Sequence, residues 1–255
     1  MFDVHDLESG SGEQLAPGLW SVRHDGEELR QLVMRRGFPL ISTPLGRPPL
    51  EWFHRLLHVP AAGVEVIVGE YRWQGNDVTS VRPLWLDVTS GRSRPLEVEG
   101  PPGATGWLFD SRGEPRVAML RREGRTVVHL RDPATREWKT VRDDGEPRRA
   151  FVPRFVDDQG TLYGVRASGA DGTTELTRYD AATGRPEARP FVSTPGFDFT
   201  GELVTEPGGG RLLGVRVETD AEVTEWFDPA LQRVQKLAEQ RLPGYVARLS
   251  CRRCG

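Results

Sequence analysis

Two histidines have a spacing that could serve metal chemistry. His54 and His58 stand four residues apart in H-R-L-L-H, and on a helix this spacing would place both imidazoles on one face. Arg55 takes the position of the glutamate in the H-E-x-x-H pattern of zinc peptidases, and the segment suits a strand as well as a helical turn. We therefore interpret the pair as structural histidines and predict no metal site.

The two cysteines form one C-x-x-C pair, Cys251 and Cys254, within the last five residues. Such a pair could be half of a zinc site or a redox dithiol. A second cysteine pair is absent from the sequence, so the alternative is two thiols in a turn between strands. No disulfide framework is available to stabilise the fold.

Acidic residues recur at regular spacing. Four aspartates end strand-like runs and follow one another at 45, 48 and 48 residues, namely Asp87, Asp132, Asp180 and Asp228. Three of them open the turns V-T-S-G-R, P-A-T-R and A-A-T-G-R. Because an aspartate carboxylate can accept hydrogen bonds from backbone N–H groups two residues on, we predict turn capping here rather than calcium binding or catalysis.

A second acidic group lies close together in sequence, at Glu218, Asp220, Glu222 and Glu225. It falls in a strand–turn–strand pattern, and we interpret it as a solvated hairpin. A glycosidase would need two carboxylates placed together at the mouth of a channel, and sequence spacing does not show such a pair.

A repeat of about 50 residues organises the whole chain. Four glycines stand just before apolar strand patterns, at spacings of 50, 47 and 50 residues: Gly63, Gly113, Gly160 and Gly210. A second strand pattern follows each of these strands and ends at one of the four aspartates. Further patterns lie upstream, as in W-L-F-D at 107–110, and downstream, as in A-R-P-F-V at 188–192.

Four strands in each unit of this length are typical of a β-propeller blade. We therefore predict an all-β fold, a β-propeller of about four to five four-stranded blades in an incomplete ring. The 29 glycines and 20 prolines suit many tight turns. We predict a single β-propeller region over 1–255. Its blades are expected near 15–34 (partial), 50–98, 105–141, 150–192 and 197–241, with the start of another at 245–255.

One short helix interrupts the strand pattern near 229–241. Asp228 is a favourable N-cap and Pro229 suits the first helical position. Apolar residues follow at helical spacing, at Leu231, Val234, Leu237 or Ala238, and Leu242. The helix replaces or precedes the outer strand of its blade, and residues 246–249 suit the first strand of a further blade.

Composition excludes several classes of function. The net charge of −3 provides no basic surface for nucleic acid, and no run approaches the ~20 apolar residues that span a bilayer. The N-terminus is acidic and polar, so it does not resemble a signal peptide. This sequence alone predicts a cytoplasmic protein, or an exported one if a signal peptide precedes Met1 in a longer parent. Tryptophans recur near strand positions and are predicted to form blade-to-blade core, at Trp20, Trp85, Trp107, Trp138 and Trp226.

Several stretches carry a family likeness. They are T-P-G-F-D-F-T-G-E-L-V, R-L-L-G-V-R-V-E-T-D, W-F-D-P-A-L-Q-R-V-Q and L-P-G. Together they resemble the N-terminal propeller region of bacterial prolyl oligopeptidase-type serine peptidases (dipeptidyl aminopeptidase or acylaminoacyl peptidase-like), most strongly over 105–250. In that family a seven- or eight-bladed propeller caps a C-terminal α/β-hydrolase domain. The resemblance implies peptide substrates that enter a cavity between the domains, and a Ser-Asp-His triad.

The hydrolase half of that family has no counterpart in this sequence. A G-x-S-x-G nucleophile elbow is absent, and S-G-S-G at 9–12 has neither its spacing nor its strand–turn–helix setting. We therefore predict no catalytic residues and no cofactor on this chain. The expected function is the substrate-gating propeller portion of such a peptidase, which would meet its peptide substrate together with the hydrolase domain. The alternatives are a stand-alone propeller that scaffolds protein partners and a small propeller glycosidase.

Overall fold

A computed structural model describes residues 18–35, 47–98, 100–144, 151–167, 172–206 and 211–249. Within these ranges the chain forms short antiparallel strands and one helix. The strands of the first half are β1 (Leu19–Ser21), β2 (Arg30–Val33), β3 (His54–His58), β4 (Glu65–Gln74), β5 (Asp77–Asp87), β6 (Ser93–Pro95), β7 (Ala104–Phe109), β8 (Pro115–Arg122) and β9 (Arg125–Arg131). Those of the second half are β10 (Trp138–Asp144), β11 (Val152–Val156), β12 (Leu162–Ala167), β13 (Thr174–Asp180), β14 (Arg185–Pro186), β15 (Gly201–Thr205), β16 (Leu212–Glu218) and β17 (Glu222–Trp226), followed by the helix α1 (Pro229–Arg241).

The strands form successive meander sheets in which neighbours in sequence are neighbours in space. Three sheets have four strands, β3 to β6, β7 to β10 and β11 to β14, and a fourth has three, β15 to β17. We call these sheets blades 1 to 4. A two-stranded sheet, β1 with β2, precedes them. The prediction of an all-β fold built from propeller-type blades with one short helix is therefore confirmed.

The chain divides into two compact units, and each has its own core. The first comprises Met1–Trp107 and Ala118–Glu123. Its main apolar cluster joins the β1–β2 hairpin to the middle strands of blade 1, through Leu19, Leu32, Val33, Val66, Val68, Leu84 and Leu86. The alternation of side chains along a strand directs these residues to one side of each sheet, and the fully buried ones exclude water between the hairpin and the blade.

The second unit comprises Leu108–Val117 and Gly124–Gly255. Its main apolar cluster lies between blades 3 and 4 and contains Tyr163, Val165, Leu176, Val192, Phe199, Val215 and Val217. Val165 and Val215 are the valines of the repeated G-V-R text, so the repeat supplies the apolar residues with which one blade packs on the next. Three rings extend this packing, since Phe191 lies 5.2 Å from Tyr163 and 5.1 Å from Phe227, measured between centroids.

Glycine and aspartate act together in the turns between the first and second strands of blades 2 and 3. Gly113 and Gly160 have φ values of 84° and 86°, which suit glycine because it has no Cβ to clash. The N–H of Gly113 donates to the carbonyl of Asp110 at 2.9 Å, and the N–H of Gly160 donates to that of Asp157 at 3.0 Å. Gly63 also has a positive φ, of 101°, while Gly210 lies outside the described residues.

The four strand-end aspartates begin one common turn. Their carboxylates accept backbone N–H groups two and three residues on, from Thr89 and Ser90, Ala134 and Thr135, Ala182 and Thr183, and Ala230 and Leu231. Each aspartate carbonyl also accepts the N–H of the fourth residue on. In blades 1 to 3 that residue has a positive φ and ends the turn, at Gly91, Arg136 and Gly184.

In blade 4 the same turn continues as a helix. After Asp228, the N–H of Gln232 donates to the aspartate carbonyl at 3.0 Å, and Pro229 to Arg241 stay helical. The prediction of a helix near 229–241 is confirmed. None of its residues is buried, however, and Val234, Leu237 and Leu242 are each about half exposed. The apolar spacing therefore predicted the helix correctly but does not mark a buried face.

Two strand predictions differ from the structure. The outer strand of blade 3 was expected at 188–192, but it is β14 at Arg185–Pro186, and of the expected stretch Val192 forms an isolated bridge with Leu176. Residues 246–249 form no strand. A fourth strand of blade 4 is also absent from the described residues, since β17 is followed directly by α1.

The turn at Asp87 makes the stability of blade 1 dependent on pH. The hydroxyl of Thr89 donates to Asp87 Oδ1 at 2.7 Å, and this bond is the largest of the effects that lower the pKa of Asp87 to about 2. A carboxyl with a depressed pKa stabilises the fold above its unfolded value of ~4, and the contribution is lost as the pH falls through the folded value. Donors from Thr135, Thr183 and Leu231 lead the effects that lower the pKa of the other three carboxyls.

We expect the stability difference between the wild type and Asp87→Asn to be largest above pH ~4 and to shrink as the pH falls towards the folded pKa of about 2. Urea denaturation of both proteins across this range measures the difference. Thr89→Val removes the hydroxyl donor and should reduce the pH-dependent part. A stability difference that stays constant down to pH ~2 would show that the turn does not perturb this carboxyl.

Candidate functional site

A groove with a volume of about 700 Å³ lies where blade 1 leads into blade 2, within the first unit. One side comes from the middle of β5, and the other from the end of β6, the chain that follows it and β7. Its lining is mostly apolar or backbone, and consists of Ser80, Val81, Arg82, Pro83, Pro95, Leu96, Glu97, Val98, Gly100, Pro101, Gly103, Ala104 and Trp107. The sequence analysis did not predict this groove, although the prolines that line it are apparent in the sequence.

The wall after β6 is held in a bent but defined shape. Leu96 N–H donates to the Pro83 carbonyl at 3.0 Å and continues the pairing of β5 with β6. Two tight turns follow, in which Val98 N–H donates to Leu96 O at 3.0 Å and Gly100 N–H donates to Val98 O at 2.9 Å. Prolines at 101 and 102 then limit φ. A wall built in this way is preformed, so a ligand need not order it.

Trp107 is the aromatic residue among those that line the groove. Its indole Nε1–H donates to the carbonyl of Val81 on β5 at 2.8 Å, which fixes the ring. The opposite contact is with Gly100, where a Cβ would lie 2.7 Å from the ring. A glycine is therefore required at position 100 if the ring is to keep this place. The half-buried indole offers a rigid apolar surface of the kind that dominates binding interfaces.

Few groups in the groove can do chemistry. Its ionisable lining residues are Arg82 and Glu97, both exposed, and its hydroxyl is that of Ser80. A nucleophile needs a base within hydrogen-bond reach, and the lining includes neither histidine nor cysteine. One carboxylate also falls short of the pair that glycoside hydrolysis uses. The lining suits the binding of an apolar ligand with polar ends better than it suits catalysis.

The two histidines considered for a metal lie on a strand. His54 and His58 are the ends of β3, and four residues of strand place their Cα atoms roughly 13 Å apart. The Nδ1 atom of His54 is 2.9 Å from the carbonyl of Glu51. Nowhere in the described ranges do three or more His, Cys, Asp or Glu side chains form a group that could hold a metal ion. Cys251 and Cys254 lie outside those ranges.

The acidic hairpin of blade 4 lies partly against two arginines. Arg216 pairs with Glu202, and its Nε is 3.5 Å from Glu222 Oε1. Arg248 Nε is 3.6 Å from the same oxygen. These groups surround a polar hollow of about 360 Å³. Glu222 is therefore partly neutralised, whereas the exposed Glu225 is not in any ion pair described for this blade.

The tryptophans have different environments. Trp226 is buried, at 5% exposure. Trp85 and Trp138 are half-buried beneath arginine side chains, with Arg94 and Arg131 at 5.3 Å and 5.9 Å from the ring centroids. The sequence predicted that all five tryptophans are buried between blades. Trp85 and Trp138 instead each lie beneath an arginine side chain.

Two buried aspartates were missed by the sequence analysis. Asp110 is 0% exposed and accepts Arg116 Nε and Nη2 at 3.0 Å and 2.9 Å, as well as the N–H groups of Arg112 and Glu114. Asp157, at the same place in blade 3, accepts the Tyr163 hydroxyl at 3.2 Å. Burial, and then the charge of Asp157, raise the pKa of Tyr163 to about 12. The D-x-x-G pattern at 110–113 and 157–160 is the sequence signal that could have predicted these two aspartates.

Contacts between successive blades are also polar. Asp158 of blade 3 accepts the N–H and hydroxyl of Ser111 in blade 2, at 2.8 Å and 2.5 Å. The Tyr179 hydroxyl of blade 3 donates to the Val141 carbonyl of blade 2 at 2.7 Å. These bonds fix the register of one blade on the next within the second unit.

Fold and groove together define a propeller-type repeat protein with a mostly apolar groove in its first unit. Comparison with known proteins finds no matching protein-family model and no matching curated protein. No helix in the described part of the chain has the length and apolar character needed to cross a bilayer.

Proposed function

We propose that this chain is a non-catalytic, propeller-type binding region that holds an extended polypeptide segment in the Trp107 groove. The observation that carries the proposal is the groove itself, with a volume of about 700 Å³ and a lining of mostly apolar side chains and prolines. Volumes of this size suit ligands that bury most of their surface.

The charges at the groove favour a polypeptide as the ligand. Arg82 and Glu97 are exposed lining residues of opposite sign, so they can pair with side chains of either sign on a bound segment. Exposed pairs of this kind contribute little affinity but improve specificity and the rate of association. The apolar lining, which includes Trp107, would supply most of the affinity.

The more specific form of the proposal is the substrate-gating propeller portion of a prolyl oligopeptidase-type serine peptidase. It is supported by the resemblance of the stretches from T-P-G-F-D-F-T-G-E-L-V to L-P-G. A stand-alone scaffold for protein partners is the alternative form. The reading frame beyond codon 255 separates the two, because the first form requires an α/β-hydrolase domain with a G-x-S-x-G elbow.

We expect Trp107→Ala to weaken the binding of a peptide at least about tenfold, because truncation of a rigid aromatic anchor commonly costs more than ~1.4 kcal/mol. The probe is a blocked ten-residue peptide of Val, Leu and Pro with one Asp and one Lys near its ends, and isothermal titration calorimetry measures its affinity. Trp85→Ala is the matched control, since Trp85 lies on β5, which also supplies Val81 to the groove, but is not among the lining residues.

A second pair of variants avoids any loss of folding. Arg82→Glu changes an exposed lining residue, and Arg72→Glu changes an exposed residue of β4 that is not in the lining. Only Arg82→Glu should alter the salt dependence of binding. Equal affinities for wild type and Trp107→Ala, or an equal loss in Trp85→Ala, would refute the groove as the site.

A further inference from the structure

Among the described residues, blade 4 has no counterpart of the outer strand that blades 1 to 3 possess. In those blades the third strand pairs outward with β6, β10 or β14, whereas the sheet of blade 4 ends at β17 within the described residues. An uncovered third strand presents a row of backbone donors and acceptors to any partner that can pair with it. The question is which groups of β17 are uncovered and what could cover them.

The direction of each backbone group along β17 follows from two hydrogen bonds. Phe227 N–H donates to Leu213 O at 2.7 Å, so residue 227 faces β16, and Glu218 N–H donates away from β17, to Thr200 O at 2.8 Å. Because these directions alternate along antiparallel strands, Val223 and Glu225 bond to β16. Glu222, Thr224 and Trp226 therefore face outward.

The helix covers one end of this outer edge. The side-chain Nε2 of Gln232 donates to the Trp226 carbonyl at 2.6 Å, and the indole Nε1 of Trp226 lies 3.3 Å from Gln235 Oε1. Within the described residues, the outward backbone groups of Glu222 and Thr224 make no hydrogen bond to another backbone group. The uncovered part of the edge is thus short and lies at Glu222 to Thr224.

Blade 3 shows what normally covers this position. Asp180 and Asp228 begin the same turn, so Leu176 in blade 3 corresponds to Thr224 in blade 4. Leu176 N–H donates to Val192 O at 3.0 Å, and Leu176 O accepts Val192 N–H at 3.1 Å. Thr224 has neither bond among the described residues, although its backbone is presented in the same direction.

Side chains beside the uncovered edge select the charge of a partner. Glu225 is exposed, and Glu222 shares its carboxylate with two arginines. Glu218 and Asp220 add negative charge at the same end of the hairpin. Val223, which is 50% exposed, offers an apolar contact on one face. A second copy of β17 would bring like charges together, which disfavours self-pairing.

We propose that the outer edge of β17 pairs with an extended strand of a basic partner polypeptide. Backbone hydrogen bonds at Glu222 and Thr224 supply the pairing, as in other cases of strand addition to a sheet edge. A lysine or arginine side chain on the incoming strand lies opposite Glu225, and an apolar side chain two residues away on the same face contacts Val223. This site is separate from the Trp107 groove and does not depend on the function proposed for it.

Amide hydrogen exchange on the wild-type protein tests the pairing directly. The probe is a blocked nine-residue peptide, Thr-Lys-Thr-Val-Thr-Lys-Thr-Val-Thr, in which lysine and valine alternate on one face. At saturation we expect the Thr224 amide to exchange at least about tenfold more slowly, since pairing protects an edge amide. The Val223 and Glu225 amides, which already bond to β16, should change little. Binding without protection at Thr224 would overturn the proposal.

Variants separate backbone pairing from side-chain effects. Thr224→Pro removes the outward N–H and should weaken the peptide at least about tenfold, whereas Thr224→Val keeps that N–H and should bind as the wild type does. Glu225→Gln should reduce both affinity and its salt dependence. The claim of a basic partner fails if a peptide with glutamate in place of lysine binds equally well. Trp107→Ala should leave all these results unchanged, so failure of the groove and failure of the edge are distinguishable.

Discussion

Asp110→Ala is expected to lower the free energy of unfolding by about 3–5 kcal/mol, since removal of one partner leaves a buried charge unpaired. The partner is Arg116, which is 4% exposed and has two guanidinium nitrogens within 3.0 Å of the Asp110 carboxylate. Asp110 Oδ1 also accepts the N–H groups of Arg112 and Glu114, both at 3.0 Å. Loss of the carboxylate would leave the hairpin that opens blade 2 without its cap.

Two comparisons test whether the loss of stability in Asp110→Ala arises because its ion pair with Arg116 is buried. Asp132→Ala removes a carboxylate that also caps a turn but is only partly buried, and it should cost much less. In the double variant Asp110→Leu with Arg116→Met both charges are replaced by apolar side chains of similar size. Such replacements are often close to neutral, so the double variant should be more stable than either single change. Urea denaturation of the wild type, Asp110→Ala, Asp132→Ala, the single variants Asp110→Leu and Arg116→Met, and the double variant measures this. A double variant whose loss equals the sum of the losses of Asp110→Leu and Arg116→Met would contradict the coupling.

Gly164→Ala is expected to be nearly as harmful, with a loss of roughly 3 kcal/mol from overpacking. Gly164 is the glycine of the first G-V-R, and a Cβ there would lie 2.5 Å from the Phe151 ring and 2.7 Å from the Val152 carbonyl. The ring could turn away, but the carbonyl belongs to the paired strand β11. The substitution therefore forces two hydrogen-bonded strands apart.

The second copy of the repeat provides a parallel test. At Gly214 a Cβ would lie 2.5 Å from the Glu225 carbonyl, so Gly214→Ala should also destabilise the protein. The control is Gly124→Ala, where the space is open but φ is 78°, and the expected loss is only about 1 kcal/mol. Thermal and urea unfolding distinguish the two cases. A loss at Gly164 no larger than at Gly124 would mean that the strands yield without cost.

Much of the fold could be predicted because its signals are local. Turn chemistry is carried by single residues and their immediate neighbours, as at Asp87 and Asp228, where the carboxylate accepts N–H groups two and three residues on. Alternation of apolar residues predicted the paired middle strands of each blade. The helix also followed from local text, since Asp228 and Pro229 define its start.

The candidate sites could not be predicted in the same way. The groove depends on Trp107 reaching the Val81 carbonyl, 26 residues away, and on a glycine at position 100 that leaves room for the ring. The uncovered edge of β17 depends on where the helix places Gln232. Neither contact has a sequence signal, because each requires segments that only folding brings together.

The repeated G-V-R hairpins show which features follow from the local sequence and which depend on the tertiary structure. By itself, the sequence determined that they are strand pairs closed by polar turns, because spacing and turn residues act within a few positions. Tertiary structure alone decided that Val165 and Val215 meet in one core. It also decided that Gly164 and Gly214 lie close to a backbone carbonyl of the paired strand. Within the described part of the chain, it further decided that the outer edge of β17 is not paired with another strand. Packing between blades depends on residues far apart in the chain, whereas local propensity does not.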